Sequence, residues 1–526
     1  MKLDNPSITA IPAISLGNQA VTKHLRGSTL LLAGRVIAMA MNFAVQVLIV
    51  RYLSKSDYGA FAYVMSLISL GSSITVFGLD KTITRFIPIY QEKGEYQKLF
   101  GSIVMMVSTI LSIGFFLVIL VFGLKGLIGG ALIKDQLAVR LLLLMIVLSP
   151  IQAMDSLLIG MLAIFASPRA IFFRRHLLDP GLRLLIIFAL IGIHGNVFWL
   201  AAGYVVASVL GVTLYTAILV RHLRKQEFSK YFSFKTMKLP AREVFGFSMP
   251  LLTANFVYLI RHQLVIVLLQ YFRGTIDIAA YRAVQPVGDL NTVVIQSFGM
   301  LFMPMMARTF ARQDQKGIED LYWQSAAWIA VISFPIFLLT FSLAEPLTIL
   351  LFGERYSQSG KIMAILALGY YFNAALGFNA DTLRIHGKLR LTVINDIIAM
   401  FISVGSCLIL IPRYGAIGAA VTTCLTLVVY NVLNQIGLKS TTNIHLFQWN
   451  YSRVYIGIVL GALGLTVFQI LVSPPLYIGV GLAGILSLMV LMVNRHVLNI
   501  EQTFPELLRF RVVRSLFGAN RNEERS

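Results

Sequence analysis

The chain has 526 residues, 57% of them hydrophobic and 13% charged, with a mean hydropathy of +0.78. Soluble domains carry about 25% charged residues, so the composition excludes a soluble globular enzyme, a disordered tail and a fibrous repeat. The net charge of +21, from 44 Lys and Arg against 23 Asp and Glu, lies mostly in short segments between apolar runs. There it reports membrane orientation rather than nucleic-acid binding.

A helix needs about 20 apolar residues to cross the hydrocarbon core. Residues 1–27 form a mixed, polar N-terminal arm, and the first apolar run is a full-length span, so no cleavable signal peptide is expected. Fourteen spans are predicted: 28–50, 58–79, 99–124, 139–166, 180–195, 197–220, 244–270, 278–307, 322–344, 360–383, 390–411, 416–438, 453–473 and 475–494. The 180–195 run is short, and the last two nearly join through Ser473-Pro474-Pro475. The expected architecture is an all-α polytopic membrane protein. A six-helix bundle over 28–220 and a second over 244–438 flank a basic linker, 221–243. Two additional helices over 453–494 and a basic tail, 495–526, complete it. Cys407 and Cys424 both fall inside apolar runs, so neither a disulfide framework nor a zinc site is expected.

With the N-terminus placed in the cytoplasm and residues near a span end counted with the adjoining loop, the cytoplasmic side holds 32 of the 44 Lys and Arg residues, the outer side 9, and Arg35, Arg261 and Arg282 lie within spans. That bias predicts both termini and the linker on the cytoplasmic side. The basic tail is expected to lie on the anionic inner leaflet.

The two halves resemble each other at an offset of about 220 residues. Arg51-Tyr52-Leu53 with Asp57 answers to Gln270-Tyr271-Phe272 with Asp277, Lys93-Gly94 to Lys316-Gly317, and Gly195 to Gly415. Units of six spans enter the membrane in the same direction, so their relating axis runs along the membrane normal. Two such bundles meeting at a central cleft suit alternating access.

Ionisable residues at membrane depth are costly and face a cavity or a partner. In the eighth span Arg282, Gln285, Asp289, Thr292 and Gln296 follow the spacing of one helical face. Ser28, Arg35, Asn42 and Gln46 share a face in the first span; Ser248, Asn255 and His262 do so in the seventh, with Arg261 adjacent. Arg35, Asn42, Asn255, Arg261, His262, Arg282 and Gln285 are therefore expected to line a cationic cleft that receives an anionic headgroup. Arginine suits phosphate because its planar fork donates parallel hydrogen bonds. Structural pairing, such as Arg282 with Asp289, is the competing reading. Asp289 and Asp155 are candidates for proton or Na⁺ coupling, with Asp381 and Asp396 closer to the membrane surface. The chain has no P-loop, metal-ligand cluster or nucleophile elbow, so neither cofactor nor enzymatic chemistry is expected.

The stretch 31–88, opening LLAGRVIAMAMNFAVQVLIVRYLSKSDYG, resembles Wzx-type oligosaccharide flippases. So does 384–423, with Gly387-Lys388, Asn395, Pro412, Tyr414-Gly415 and Gly418-Ala419-Ala420, and so does LLFGERY at 350–356. The resemblance covers roughly residues 25–440. It implies membership of the multidrug/oligosaccharidyl-lipid/polysaccharide exporter superfamily, built from two six-helix bundles, often with two more helices. It further implies movement of polyprenyl-diphosphate-linked sugars across the cytoplasmic membrane by alternating access. Expected partners are membrane lipids, the lipid-linked oligosaccharide, a polysaccharide polymerase and glycosyltransferases. A lipid II flippase and a cation-coupled multidrug exporter are the alternatives within the superfamily. A membrane-embedded glycosyltransferase is the alternative outside it.

Overall fold

A computed structural model describes residues 18–133, 135–165, 172–225, 237–442 and 444–498, and every regular element among them is helical. Most of the N-terminal arm, the middle of the linker and the tail beyond 498 lie outside the described residues.

The first unit runs α1 (Asn18–Tyr52), α2 (Lys55–Val76), α3 (Leu79–Glu92), α4 (Tyr96–Gly123), α5 (Gln136–Met145), α6 (Leu148–Phe165), α7 (Asp179–Gly192) and α8 (Val197–Lys225). The second runs α9 (Ala241–Arg273), α10 (Thr275–Asp289), α11 (Asn291–Ala311), α12 (Gln315–Phe337), α13 (Ala344–Phe352), α14 (Ser359–Ala375), α15 (Asn379–Ile385) and α16 (Leu389–Thr442). Then follow α17 (Ser452–Val472) and α18 (Leu476–Val493).

Among the described residues ten helices are long and apolar enough to cross a membrane, or eleven if the bent pair within α11 counts as one span. The predicted total of fourteen is not reached, for identifiable reasons. The second span does not stop at 79: Phe77 and Gly78 adopt left-handed dihedrals and α3 continues to Glu92. Leu79, Ile83, Ile87 and Tyr90 repeat at helical spacing and are buried, so this segment is a packed helix rather than a loop. The fourth span is interrupted between α5 and α6, just ahead of Pro150, and the eighth between α10 and α11. Conversely α16 has 54 residues, about 80 Å at helical rise, far beyond the ~30 Å core. It turns at Gly415, whose φ of 56° and ψ of −130° are not helical, so its two arms correspond to the predicted spans 390–411 and 416–438.

Lipid tails are as apolar as leucine, so helices in a bilayer associate through close backbone approach and polar links rather than through exclusion from water. The contact between the units follows that rule. α2 packs along α10 and α9. Gly59 lies so close to α10 that a Cβ would stand 1.9 Å from the Thr275 carbonyl oxygen; a Cβ on Gly78 would stand 2.8 Å from the Ser248 carbonyl oxygen of α9. A continuous buried cluster joins Val45 and Ile49 of α1, Tyr58, Phe61 and Val64 of α2, Val265 and Leu269 of α9, and Ile278 and Val284 of α10. α17 and α18 seat on the second unit, where Gly461 meets the Phe334 ring, Gly479 meets Leu343, and the Trp328 indole donates to the Leu498 carbonyl at 3.1 Å.

The two units repeat one device. In the first, the Tyr52 hydroxyl at the end of α1 donates to the carbonyls of Gly195 (2.9 Å), between α7 and α8, and of Leu190 (3.3 Å), in the last turn of α7. In the second, Arg273 at the end of α9 donates to Arg413 (2.8 Å) and Ile411 (3.3 Å) at the bend of α16, where Asp277 accepts from the Ala416 amide. The first connection of each unit thus grips its fifth.

Candidate functional site

The interface between the units has two ends: one near the 221–243 linker and a far end near the connections at 53–54 and 353–358. At the far end two arginines hold it shut. Arg51 donates from Nε to the Leu351 carbonyl at 2.7 Å and from Nη2 to the Leu350 carbonyl, at the C-terminus of α13. Arg355, just after α13, donates to the carbonyls of Val50 and Arg51 at the C-terminus of α1. Helix ends leave their last carbonyls without helical donors and carry partial negative charge. Each guanidinium therefore caps the helix of the opposite unit.

At the linker end one flank is also closed. Phe77 and Phe86 meet Phe245 and Phe247 edge-to-face at 6.1 and 5.8 Å, and the Arg85 guanidinium stacks 4.3 Å from the Phe247 centroid. The Tyr90 hydroxyl donates to Glu243 at 2.8 Å. On the other flank, formed by α1 and α11, Arg35 donates a hydrogen bond to Gln296.

Between these ends lies Arg282 of α10, half-buried. It donates to Gln285 Oε1 (3.0 Å), Gln263 Oε1 (2.9 Å) and, across to the first unit, Ser66 Oγ (2.6 Å). Gln46 of α1 donates to the Arg282 carbonyl at 3.4 Å and to the Tyr58 hydroxyl. All three acceptors are neutral, and the buried Nε of Arg282 has no hydrogen-bond partner among the described residues. Among the described residues no carboxylate neutralises this guanidinium. It remains able to bind an anion, which a guanidinium saturated by carboxylate would not.

The competing reading, an ion pair of Arg282 with Asp289, is not met: the two side chains make no contact with each other. Asp289 Oδ1 instead accepts from Thr292 Oγ1 at 3.0 Å. The wheel that put both on one stripe assumes a straight helix, whereas α10 contains Pro286 and ends at Asp289. Asn42 donates to the Ala38 carbonyl of its own helix at 2.8 Å. Asp155 is half-buried in α6 and engaged with a neighbour. Asp381 pairs with Arg384 at 3.1 Å, which fits its surface position. Asn255, Arg261 and His262 belong to α9, but their side chains lie outside the described residues. Arg35 and Arg282 each hydrogen-bond to a residue of the opposite unit.

Sequence reasoning did not find Ser66 or Gln263, which carry no charge and fall in no stripe. It also missed the function of Arg51 and Arg355, although both sit in motifs it singled out. A buried amide cluster inside the second unit was missed too: Asn379 donates to Asn431 (3.0 Å), Asn431 to Asn373 (2.8 Å) and Asn395 to Asn434 (3.1 Å). Its amides satisfy one another, as buried polar groups must.

An all-helical chain with ten or eleven apolar spans among its described residues has the build of a multi-pass membrane transporter, and its similarities place it in the multidrug/oligosaccharidyl-lipid/polysaccharide exporter superfamily. Residues 24–310 match the family described as polysaccharide biosynthesis protein, and 250–409 match MatE. The chain belongs to the polysaccharide biosynthesis protein family. It is 26% identical over 426 residues to an uncharacterized membrane protein of Methanocaldococcus jannaschii, covering 76% of this chain and 81% of that one. It is 22% identical over 433 residues to a protein of Haloferax volcanii named as a probable low-salt glycan biosynthesis flippase, covering 82% and 86%. Among solved structures, lipid II flippase MurJ in an inward closed conformation superposes with a TM-score of 0.67 at 16% identity, covering 89% of this chain and 99% of that one. The relatives named here for a function are flippases rather than enzymes. This chain is a multi-pass membrane flippase or transporter of that superfamily.

Proposed function

We propose that the protein moves polyprenyl-diphosphate-linked oligosaccharide units across the cytoplasmic membrane by alternating access, for polysaccharide biosynthesis. The observation that carries this reading is Arg282, a membrane-depth cation whose described acceptors are all neutral, at the junction of two units. A diphosphate bound there would displace Ser66 or Gln263 and span both units, so its binding energy would differ between their arrangements. Arg35 would meet the headgroup nearer the linker, with Asn42, Gln285, Asn255, Arg261 and His262 along the same cleft. The sugars would cross through the cleft while the lipid tail stayed in the bilayer. Asp289, and after it Asp155, are the groups through which proton or Na⁺ movement would be coupled. Both termini and the linker lie in the cytoplasm in this reading, so the closed far end faces outward. A polymerase and glycosyltransferases would act on either side of the step.

A lipid II flippase is the second reading, favoured by the likeness to MurJ along nearly all of that chain. Both substrates present a diphosphate to the same arginines; they differ in the sugars. The test is reconstitution in proteoliposomes with a fluorescent polyprenyl-diphosphate oligosaccharide, lipid II and an organic cation in parallel. Transport of the first alone supports the proposal. Transport of lipid II alone replaces it with the second reading, and transport of the cation alone refutes both. For orientation, a cysteine at Ser229 should resist an impermeant reagent applied to intact cells; labelling would invert the assignment.

A further inference from the structure

A groove of about 760 Å³ runs along the first unit between α4 and α8, floored by α6. None of its lining residues comes from α1, α2 or the second unit, so it is separate from the interface that carries Arg282. Its walls are apolar: Ile103 and Val107 of α4, Met154 and Leu158 of α6, and Val212 and Val220 of α8. The polar lining is Thr216 and, at the linker end, Arg224. A shallower hollow continues from it along α8, sharing Val212, Thr216, Val220 and Arg224 and adding Arg221.

The dimensions match one leaflet. From Val212 to Arg224 the wall rises about 18 Å at helical pitch, against roughly 15 Å for half of the hydrocarbon core. At its deep end the groove is closed, because Gly114 of α4 admits Pro150 of α6 so closely that a Cβ would stand 2.4 Å from the proline Cβ. At its shallow end two guanidiniums wait at headgroup depth, and neither Arg221 nor Arg224 has a carboxylate partner among the described residues.

We infer that this slot binds an anionic phospholipid of the leaflet on the linker side, an acyl chain lying along α4, α6 and α8 and its phosphate paired with Arg221 and Arg224. A slot sealed at the midplane suits a resident lipid. It does not suit the tail of a carrier that must change leaflets, since such a tail needs a path through the midplane. Phosphatidylcholine would fill the same apolar walls but bring no net charge to the arginines.

Native mass spectrometry of the full chain in detergent, supplied with equal amounts of dioleoyl phosphatidylglycerol and phosphatidylcholine, tests the site. Retention of phosphatidylglycerol over phosphatidylcholine is expected. The pair R221Q and R224Q should lower that preference about fivefold for each arginine removed, and V107W should expel both lipids by filling the slot. The matched pair R308Q and R312Q, on the same side but outside the groove, should change nothing. Equal retention by the natural protein, an equal loss in the control pair, or undiminished binding in V107W would overturn the proposal. So would displacement of phosphatidylglycerol by an equal concentration of undecaprenyl phosphate. Should a variant fail to fold, the natural protein alone decides with lipids spin-labelled near the methyl end of the chain. A larger immobilised fraction for phosphatidylglycerol than for phosphatidylcholine supports the site, and equal fractions refute it.

Discussion

Arg355→Ala should open the far end of the protein. The side chain caps α1 through the carbonyls of Val50 and Arg51, and nothing else described replaces it there. Hydrogen bonds from a charged donor contribute about 1.5–3 kcal/mol when sheltered, but Arg355 is exposed, and exposed charged contacts contribute nearer 0.5–1 kcal/mol. Two such bonds give about 1–2 kcal/mol favouring the closed far end, a factor of roughly 5–30 in its equilibrium with an open one. If the open form holds ~1% of molecules, the variant should raise it to about 5–25%. Arg51→Ala removes the reciprocal pair to Leu350 and Leu351 and should act by a similar factor. Arg355→Lys keeps the charge without the fork and should fall between. Spin labels at Lys125→Cys and Lys361→Cys, one on each unit at the far end, would report the populations by pulsed dipolar spectroscopy. Cys407 and Cys424 would first be changed to Ser. A longer-distance component should grow in each alanine variant and grow most in the double variant. Unchanged distance distributions in all three would refute the reasoning that these arginines close the far end.

Arg282→Ala should reduce the initial flipping rate about 10–100-fold, the range expected for losing a charged hydrogen-bond donor, with normal amounts of protein in the membrane. Arg282→Lys should recover part of the rate, and full activity in the alanine variant would remove Arg282 from the substrate path. Asp289→Asn should still bind substrate but lose proton-dependent transport in proteoliposomes; an unchanged pH profile would rule Asp289 out as the coupling group. Gly59→Val drives its side chain into the Thr275 carbonyl, so it should lower thermal stability in detergent by about 1–3 kcal/mol. An unchanged melting temperature would mean that α2 and α10 are not held as tightly as their packing implies.

Composition and the length of the apolar runs were enough to read a helical multi-pass membrane protein, because a bilayer allows little else for such a chain. Charge at membrane depth also drew attention to Arg35 and Arg282, which hydrogen-bond across the contact between the units. The partners of those arginines were less legible. A helical wheel assumes an unbroken axis, and Pro286 stands between Arg282 and Asp289 within α10. Ser66 and Gln263 become ligands of Arg282 only when α2 and α9 are brought to α10. No spacing within one helix can show that. Span limits failed where residues do not look like loop or helix by hydropathy alone. The segment 79–92 carries Asp80, Lys81 and Arg85 on its open side and a buried apolar face on the other, and averaging the two hides the helix.

Gly195 and Gly415 occupy equivalent places in the repeat, yet the local backbones differ, and so should the cost of an added methyl group. At Gly415 the combination φ 56°, ψ −130° is open to glycine and closed to residues with a Cβ. The new Cβ would also stand 2.2 Å from Asp277 Oδ2, forcing out the carboxylate that accepts from the Ala416 amide. In the first unit the left-handed position falls one residue earlier, at His194 with φ 50°. A Cβ on Gly195 meets the terminal carbon of Leu190 at 2.8 Å, an end that can swing away. Gly415→Ala should therefore cost about 1–3 kcal/mol of backbone strain plus the lost hydrogen bond, while Gly195→Ala should cost well under 1 kcal/mol. Thermal unfolding of the two variants in the same detergent measures the difference directly. Equal melting temperatures would mean that the second unit does not depend on Gly415 to hold α16 bent against Arg273 and Asp277.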